Sequence, residues 1–294
     1  MYRPSLFGLW GQAFGDWGVT DGDHNAAKLS RNTGGLVIGA DAGRELWGGA
    51  WRFGVAAGYT DDSLKVSARG SSGDYQSLFG GLYGSASFGA IDLKAGALLA
   101  ATETHTQRSI VFPLFADQAG AHYDGTAGQL FAEAGYRLPY RMSAFANLAG
   151  LSGLEASYEP FLQAALIRID QDRFAETALL AGLTAAAKTY DLGTTTLGLR
   201  SEYKLATAPG FALRTLVGWR HAFGDVRPSV TESFAGSLAS FPVAGVPIDR
   251  DALVSDISLD YSLTSAATLG LSYALQIGHR ATDNALKAKA EISF

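Results

Sequence analysis

The stretch Tyr261–His279, with the sequence YSLTSAATLGLSYALQIGH, is the longest charge-free run of the chain. A membrane-spanning helix needs about 18 or more predominantly apolar residues, so this run is the first place to look for one. Its large side chains alternate with small or polar ones and share one parity: Leu269, Leu271, Tyr273, Leu275 and Ile277. Side chains of a β-strand point alternately to its two faces, whereas those of a helix repeat about every 3.6 residues. The run therefore predicts a β-strand and not a membrane helix.

The same alternation recurs along the whole chain and indicates about twelve strands. An even number of strands is what a single-chain bacterial barrel requires. Short connections are predicted near Arg44–Gly49, Gly89–Ala90, Ala206–Gly210 and Thr264–Ala267, and longer ones near Gly18–Thr33, Arg108–Gly125, Arg173–Tyr190 and Asp225–Asp251. Thr177–Ala187, within the third long connection, fits either a short helix or the end of a strand. Short turns on one rim and long loops on the other are typical of a transmembrane barrel.

The composition excludes several classes of protein. The chain has 294 residues, of which 47% are hydrophobic and 17% charged, and this apolar content is too high for a disordered chain. It contains no cysteine, so it has neither a disulfide framework nor a thiolate metal site, and its net charge of -5 argues against a nucleic-acid partner. The histidines are scattered along the sequence: His24, His105, His122, His221 and His279. Their spacing matches no ligand motif, so neither a metal nor a cofactor is predicted.

Two architectures accept this alternation. A soluble β-sandwich turns its apolar face inward, whereas a membrane barrel turns it toward lipid and lines a wet lumen with the polar face. Three features favour the barrel: a polar parity rich in glycine and opposite charges, aromatic residues near strand ends, and closure without an exposed strand edge. The aromatic residues predicted at the membrane interface are Trp51, Tyr136, Tyr203, Trp219 and Tyr261. We therefore expect an all-β protein, a transmembrane antiparallel barrel of the outer-membrane type, in a single domain over residues 1–294.

The polar parity of the predicted strands supplies a set of ionisable side chains. The residues expected to line the lumen are Asp41, Arg52, Lys94, Glu133, Arg137, Arg168, Arg200, Glu202, Arg214, Arg220, Asp256 and Lys287. In one interpretation they form a hydrated, charge-lined passage that admits an extended chain or a helix. In the other they pair with one another and brace the barrel wall. Both interpretations stay open, because ionisable groups at membrane depth must find partners or water.

Several short motifs resemble those of a known family. They are Leu9–Gly15 (LWGQAFG), Gly34–Asp41 (GGLVIGAD), Glu133–Arg137 (EAGYR), Leu197–Arg200 (LGLR) and Gly218–Phe223 (GWRHAF). In this order they are similar to the C-terminal translocator, or β-domain, of autotransporters, the type V secretion proteins of Gram-negative bacteria. Each motif alone is weak, but their order covers essentially the whole chain.

The end of the chain adds to the resemblance. In this family a terminal aromatic residue in the last strand is read by the outer-membrane barrel assembly machinery, and Ile292 and Phe294 occupy the corresponding positions. One residue departs from the family pattern, because Lys289 stands where a glycine is usual.

The resemblance implies a barrel in the bacterial outer membrane that anchors its own N-terminal passenger domain and helps to secrete it to the cell surface. Its expected partners are the lipid bilayer, the barrel assembly machinery, the passenger and a linker helix that threads the lumen. We expect the passenger and the helix to lie outside this chain. Some family members cleave the passenger inside the lumen with acidic side chains, and Glu133 and Asp41 would be the candidates. No catalytic residue is assigned, and the chain is expected not to be an enzyme.

Two other functions compete with this interpretation. A porin-like outer-membrane channel for small solutes would carry a long loop folded into its lumen, and only Asp225–Asp251 is long enough. A membrane-embedded hydrolase would need a serine or an acid with histidine partners on its outer wall, and the sequence gives no such cluster.

Overall fold

The computed structural model describes residues 7–23, 25–138 and 154–294. Twelve antiparallel strands form a closed barrel, in which each barrel strand pairs with the next and the last pairs with the first. The barrel strands are β1 (Phe7–Thr20), β2 (Leu29–Leu46), β3 (Gly49–Val66), β4 (Ser71–Phe88), β5 (Ile91–Phe112), β6 (Phe115–Tyr136), β7 (Leu154–Gln171), β10 (Lys188–Leu205), β11 (Phe211–Gly224), β14 (Asp251–Ser262), β15 (Ala267–Ile277) and β16 (Ala281–Ser293). The prediction of an all-β barrel of about twelve strands is confirmed.

Within the described part of the chain, no helix has the length and apolar character that crossing a membrane requires. The candidate run Tyr261–His279 contains β15, and this strand pairs along its length with β14 on one side and β16 on the other. The barrel has two distinct rims. The turn rim carries both ends of the described chain and the tight connections β2–β3 and β4–β5, and the loop rim lies at the opposite end.

A small second sheet lies among the connections of the loop rim. It contains β8 (Phe174–Ala175), β9 (Leu183–Ala185), β12 (Ser229–Phe234) and β13 (Ser240–Ala244), in the order β13-β12-β9-β8. The stretch Thr177–Ala187, which fitted two interpretations in the sequence, thus contributes a short strand and no helix. The sheet joins two long connections, β7–β10 and β11–β14, which are separated by two barrel strands.

One predicted long connection is wrong. Arg108–Gly125 is not a loop, because β5 and β6 continue through it as a hairpin that pairs from Ile91↔Tyr136 to Phe112↔Phe115. The hairpin closes at Leu114, whose φ of 69° is the left-handed conformation of a tight turn. The prediction failed because Pro113 and polar residues such as Asp117 and Gln118 interrupt the apolar alternation there, whereas the backbone pairing continues on both sides of the turn.

The exposed apolar side chains form a band around the outside of the barrel. Ile38, Leu82 and Leu99 are 60%, 66% and 75% exposed, and each lies on the same face of its strand as its apolar neighbours. Among the described residues, no large side chain is fully buried inside. In water such a band would be a large unfavourable surface, whereas acyl chains solvate it well. The packing therefore fits a barrel whose outer surface lies in lipid.

Glycines on the inner face leave room for aromatic rings of the adjacent strand. The register-paired sets are Gly35–Phe14, Gly39–Trp10, Gly54–Tyr83, Gly58–Phe79, Gly96–Phe131 and Gly198–Phe161. At Gly198, an added Cβ would lie 2.6 Å from the Phe161 ring and 2.8 Å from the Val217 carbonyl oxygen. The ring cannot move away freely, because it is buried and the Arg200 guanidinium lies 4.0 Å from its centre. These close approaches account for part of the glycine content of the strands.

We predict that Gly198→Ala lowers the free energy of unfolding by about 1–3 kcal/mol, because the methyl group overlaps a ring and a backbone carbonyl. Urea unfolding in lipid vesicles, followed by the gel mobility of the folded barrel, measures this change. Gly34→Ala is the matched control, because an added Cβ at Gly34 meets no atom within 4 Å. Equal effects of the two substitutions would contradict the role assigned to the close approach.

Candidate functional site

The strand register assigns the predicted charged residues to the two faces of the barrel. The inner face opposes the exposed apolar band, and it carries Asp41, Arg52, Lys94, Glu133, Arg200, Glu202, Arg214, Arg220, Asp256 and Lys287. Arg137 lies just after β6, where its guanidinium binds the inner-face carboxylate of Asp92 from Nη2 at 2.6 Å. The lumen is therefore the face on which ionisable groups gather.

Arg168 is an exception, and the prediction that it lines the lumen is wrong. It pairs in register with Gly128, two residues from the outward pair Leu130 and Leu166, so its side chain lies on the outer face. There it forms an ion pair with Asp191, with Nε 2.8 Å from Oδ1, and both side chains are largely exposed. Near the loop rim, the outer face lies beyond the apolar band and also carries polar side chains. A polar residue there can therefore face either the lumen or the outside.

Glu133 is the centre of the best-connected group in the lumen. Its carboxylate accepts hydrogen bonds from Lys94 Nζ at 2.9 Å, Arg200 Nη1 at 2.7 Å and Gln163 Nε2 at 3.2 Å. Arg200 also reaches Glu159 Oε1, at 3.2 Å. We call these five residues the Glu133 cluster. The Glu133 side chain is 4% exposed, and the two cations balance the two carboxylates, so the cluster is neutral as a whole.

Two further networks lie in the turn-rim half of the lumen. In the first, Trp10 Nε1 donates to the Tyr83 hydroxyl at 2.6 Å, and that hydroxyl donates to Asp41, which also binds Arg52. In the second, Arg214 bridges two carboxylates, with Nε 2.7 Å from Glu202 Oε2 and Nη1 on Asp260. The networks pair most of the cations of this region with carboxylates, as charges at membrane depth require.

The charges nearer the loop rim are less completely paired. Arg31 Nη2 lies 3.0 Å from Asp16 Oδ1 and 2.9 Å from Asp283 Oδ1, while Arg220 donates to Gln276. Within the described chain, the buried Nε atoms of Arg31 and Arg220 have no hydrogen-bond partner. Lys287 Nζ lies 3.5 Å from Asp256 Oδ2. This half of the lumen keeps hydrogen-bonding capacity that its own wall does not use.

Two cavities occupy the lumen and meet in its middle. One, of about 740 Å³, extends past Phe14, Arg31 and Arg220, and the other, of about 530 Å³, lies toward the turn rim. Arg200 and Asp256 belong to the walls of both cavities, so the two spaces adjoin beside the Glu133 cluster. The sequence predicted the charges of this passage but not its aromatic side chains. Trp10, Phe14 and Phe161 lie on the strand face that otherwise carries polar residues, so the alternation did not reveal them.

The predicted interface aromatics lie on the outer face near the two rims. Tyr136, Tyr203 and Tyr261 lie near the ends of strands that finish at the turn rim, and Trp51 lies near the start of β3 at the same rim. Trp219 lies closer to the loop rim, where its Nε1 donates to Asp251 Oδ1 at 3.0 Å. Each ring therefore stands near an end of the outer surface.

The last residues close the barrel. Ile292 pairs with Leu9 of β1, and the backbone N–H of Phe294 donates to the Phe7 carbonyl at 2.8 Å. Both side chains are exposed, at 48% and 69%. The end of the chain is thus part of the closing seam between β16 and β1.

The connections above the loop rim are tied together by carboxylates. Asp117 accepts hydrogen bonds from the backbone N–H groups of Leu180 and Ala181, at 3.0 and 3.2 Å, and Arg108 binds Glu176 with two nitrogens. Burial, and then the nearby Glu176 carboxylate, raise the pKa of Glu232 in the small sheet. These contacts attach the small sheet to the β5–β6 hairpin.

The structure also brings together two histidines that looked scattered in the sequence. The rings of His105 and His122 lie 4.3 Å apart, on paired strands of the β5–β6 hairpin. Local spacing in the sequence could not show this proximity, because a strand pair joins residues that lie far apart along the chain. His24 lies outside the described residues.

A closed twelve-stranded barrel with an apolar outer band and a charged lumen defines the class of outer-membrane β-barrels. Residues 9–274 match the family described as the autotransporter beta-domain, and the chain belongs to this family. It is an autotransporter translocator barrel of the bacterial outer membrane, as the sequence motifs predicted.

Relatives and solved structures agree with this assignment. The chain is 31% identical over 288 residues to an extracellular serine protease of Serratia marcescens, with 96% of this chain and 25% of that protein covered. It therefore spans about a quarter of the length of that relative. Its fold is similar to the translocator domain of NalP from Neisseria meningitidis, with a TM-score of 0.75, 14% identity, and 100% of this chain and 90% of that chain covered. The β-domain of BrkA from Bordetella gives 0.67 at 19% identity, covering 98% and 100%.

We predict that Glu133→Gln lowers the free energy of unfolding by about 1–3 kcal/mol, because Lys94 and Arg200 lose the charge that compensates them in a hydrated but confined site. In the double variant Glu133→Gln/Lys94→Gln, the cluster is neutral again. The double variant should therefore lose less unfolding free energy than the sum of the losses in the two single variants. Urea unfolding in vesicles measures both. Glu291→Gln is the control, because its half-exposed partner Lys289 keeps contact with water. Additive losses would show that the cluster is not coupled.

Proposed function

We propose that this chain, as a single domain over residues 1–294, is the membrane anchor and translocation unit of a longer protein whose passenger crosses the outer membrane with its help. The lumen supports this proposal. Its adjoining cavities form a passage with a charged wall, and ion pairs within the wall neutralise most of that charge. Such a wall solvates a polar chain without holding it tightly, since few of its charges are free to bind it.

The half of the lumen near the loop rim is where we propose that a linker helix makes its contacts. Arg31 and Arg220 line the cavity of this half, and their guanidinium groups would donate hydrogen bonds to a carboxylate or carbonyl oxygen of the helix. Asp16 and Asp283 beside Arg31 would receive cations of the same helix. The Glu133 cluster, with its four side-chain neighbours, is better suited to bracing the wall.

The passenger itself is proposed from the relatives. The chain covers about a quarter of an extracellular serine protease, so we propose that residues outside this chain form a passenger of that kind. We propose no catalysis by the barrel. Glu133 and Asp41, the candidates for an acid that cleaves a passenger, both hold cations: Glu133 binds Lys94 and Arg200, and Asp41 binds Arg52. Both carboxylates are therefore already engaged by partners in the barrel wall.

Assembly and membrane partners follow from the seam and the outer band. We propose that the barrel assembly machinery reads Ile292 and Phe294, whose exposed side chains flank the edge at which β16 joins β1. The bilayer contacts the apolar band, and Trp51, Tyr136, Tyr203, Trp219 and Tyr261 stand at its borders as interfacial anchors.

The porin-like alternative has less support. Its long connection, Asp225–Asp251, contacts other parts of the loop rim: Asn25 Nδ2 donates to the Ala244 carbonyl at 2.6 Å, and Asp249 accepts from the backbone N–H groups of Arg280 and Ala281. These contacts hold the connection over the rim and not against the lumen wall at half height.

Conductance in a planar bilayer tests the proposed function. We predict a steady conductance for the chain alone and a much smaller one when the natural upstream residues are appended, because a helix fills the lumen. A glycine–serine extension of the same length is the matched control and should leave the conductance nearly unchanged. If the natural extension also leaves it unchanged, the helix-filled passage is contradicted and the porin-like function is favoured.

A further inference from the structure

Three side chains with metal-binding atoms stand together on the outer surface of the β5–β6 hairpin. Along β5, the outward residues are apolar up to Leu99, and Glu103 and His105 follow on the same face. On β6, His122 lies on this face opposite His105, beyond the outward Leu130. The group therefore lies outside the barrel, on the loop-rim side of the apolar band, and faces away from the lumen.

The three side chains converge on one point. His105 and His122 are register partners, and their ring centres are 4.3 Å apart. Glu103 Oε1 lies 3.9 Å from His105 Nε2 and 3.6 Å from His122 Nδ1. Each of the three residues offers one ligand atom, and all three atoms lie within 4.8 Å of one another. Two ligands on a tetrahedral ion are about 3.3 Å apart, so small side-chain rotations would complete the geometry.

The donor set selects the kind of ion. Two imidazole nitrogens and one carboxylate oxygen are the ligands of zinc sites in which a water molecule takes the fourth position. Imidazole also suits Cu²⁺ and Ni²⁺, whereas Ca²⁺ and Mg²⁺ prefer oxygen ligands only. About half of each side chain is exposed, so an ion can reach the site from water without a change in the fold.

We propose that Glu103, His105 and His122 form a binding site for a divalent transition-metal ion, with Zn²⁺ as the expected occupant. The surroundings favour a cation, because Asp124 is the register partner of Glu103 and Asp74 that of His105. Carboxylates at these positions raise the local concentration of cations. The bound ion links β5 to β6 at the place where the hairpin leaves the membrane, and its open position can take a ligand from the medium.

Calorimetric titration of ZnCl₂ into the untagged, chelator-treated chain, folded in detergent micelles, tests the proposal. We expect one ion per chain with micromolar affinity, and binding at least about ten-fold weaker in His122→Ala, His105→Ala and Glu103→Gln. His221→Ala is the matched control: His221 is exposed and lies 2.9 Å from Asp251. His221 has no second histidine beside it in the described structure, so its loss should leave zinc binding unchanged.

The proposal is overturned if the wild-type chain binds no zinc at micromolar concentrations, or if His105→Ala and His122→Ala bind as tightly as wild type. It is also overturned if His221→Ala weakens binding as much as His122→Ala, because the ion would then be held elsewhere. The gel mobility of the unheated barrel establishes that each variant is folded. Visible absorption of bound Co²⁺ gives a second readout, since four-coordinate cobalt absorbs far more strongly than the aqueous ion.

Discussion

The structure depends on one constraint: in lipid, every backbone N–H and C=O group must find its partner within the protein. A sheet meets this constraint only by closing, and the closing pair is β1 with β16, joined in register from Gly8↔Ser293 to Thr20↔Ala281. Once the barrel is closed, each strand has one face toward lipid and one toward the lumen. The two-residue period of the sequence then determines the outer apolar band and the charged interior together.

Closure also explains why the lumen is built as it is. The inner faces of twelve strands converge on a narrow space, and several aromatic side chains pack there against a glycine of the neighbouring strand, as Phe161 does against Gly198. Charges in that space must be balanced locally, and the Glu133 cluster does this with two cations and two carboxylates. The cations of the Glu133 cluster are paired within the wall, whereas Arg31 and Arg220 line an open cavity and are less completely hydrogen-bonded. This asymmetry is the basis of the proposed contact with a linker helix.

The sequence predicted those features that a strict alternation controls, including the twelve strands and the inner face of β2, β3 and β5. Prediction failed where lipid no longer enforces the pattern. Arg168 stands between Ile167 and Ile169, so the local alternation assigned it to the polar face, although it shares its face with the outward Leu166. The β5–β6 hairpin extends beyond the band, where Pro113 and polar residues such as Asp117 and Gln118 interrupt the apolar alternation. The pairing of His105 with His122 depends on the register of that hairpin, which local spacing cannot give.

The central claim is that the apolar face lies in lipid and the charged face in the lumen. Quenching of single-tryptophan variants by lipids with brominated acyl chains measures this directly, because bromine quenches only on contact. Trp219 stands on the outer face with 52% exposure, whereas Trp10 is held in the lumen by its hydrogen bond to Tyr83. We predict strong quenching of Trp219 fluorescence and almost none of Trp10 fluorescence. Equal quenching of both, or stronger quenching of Trp10, would contradict it.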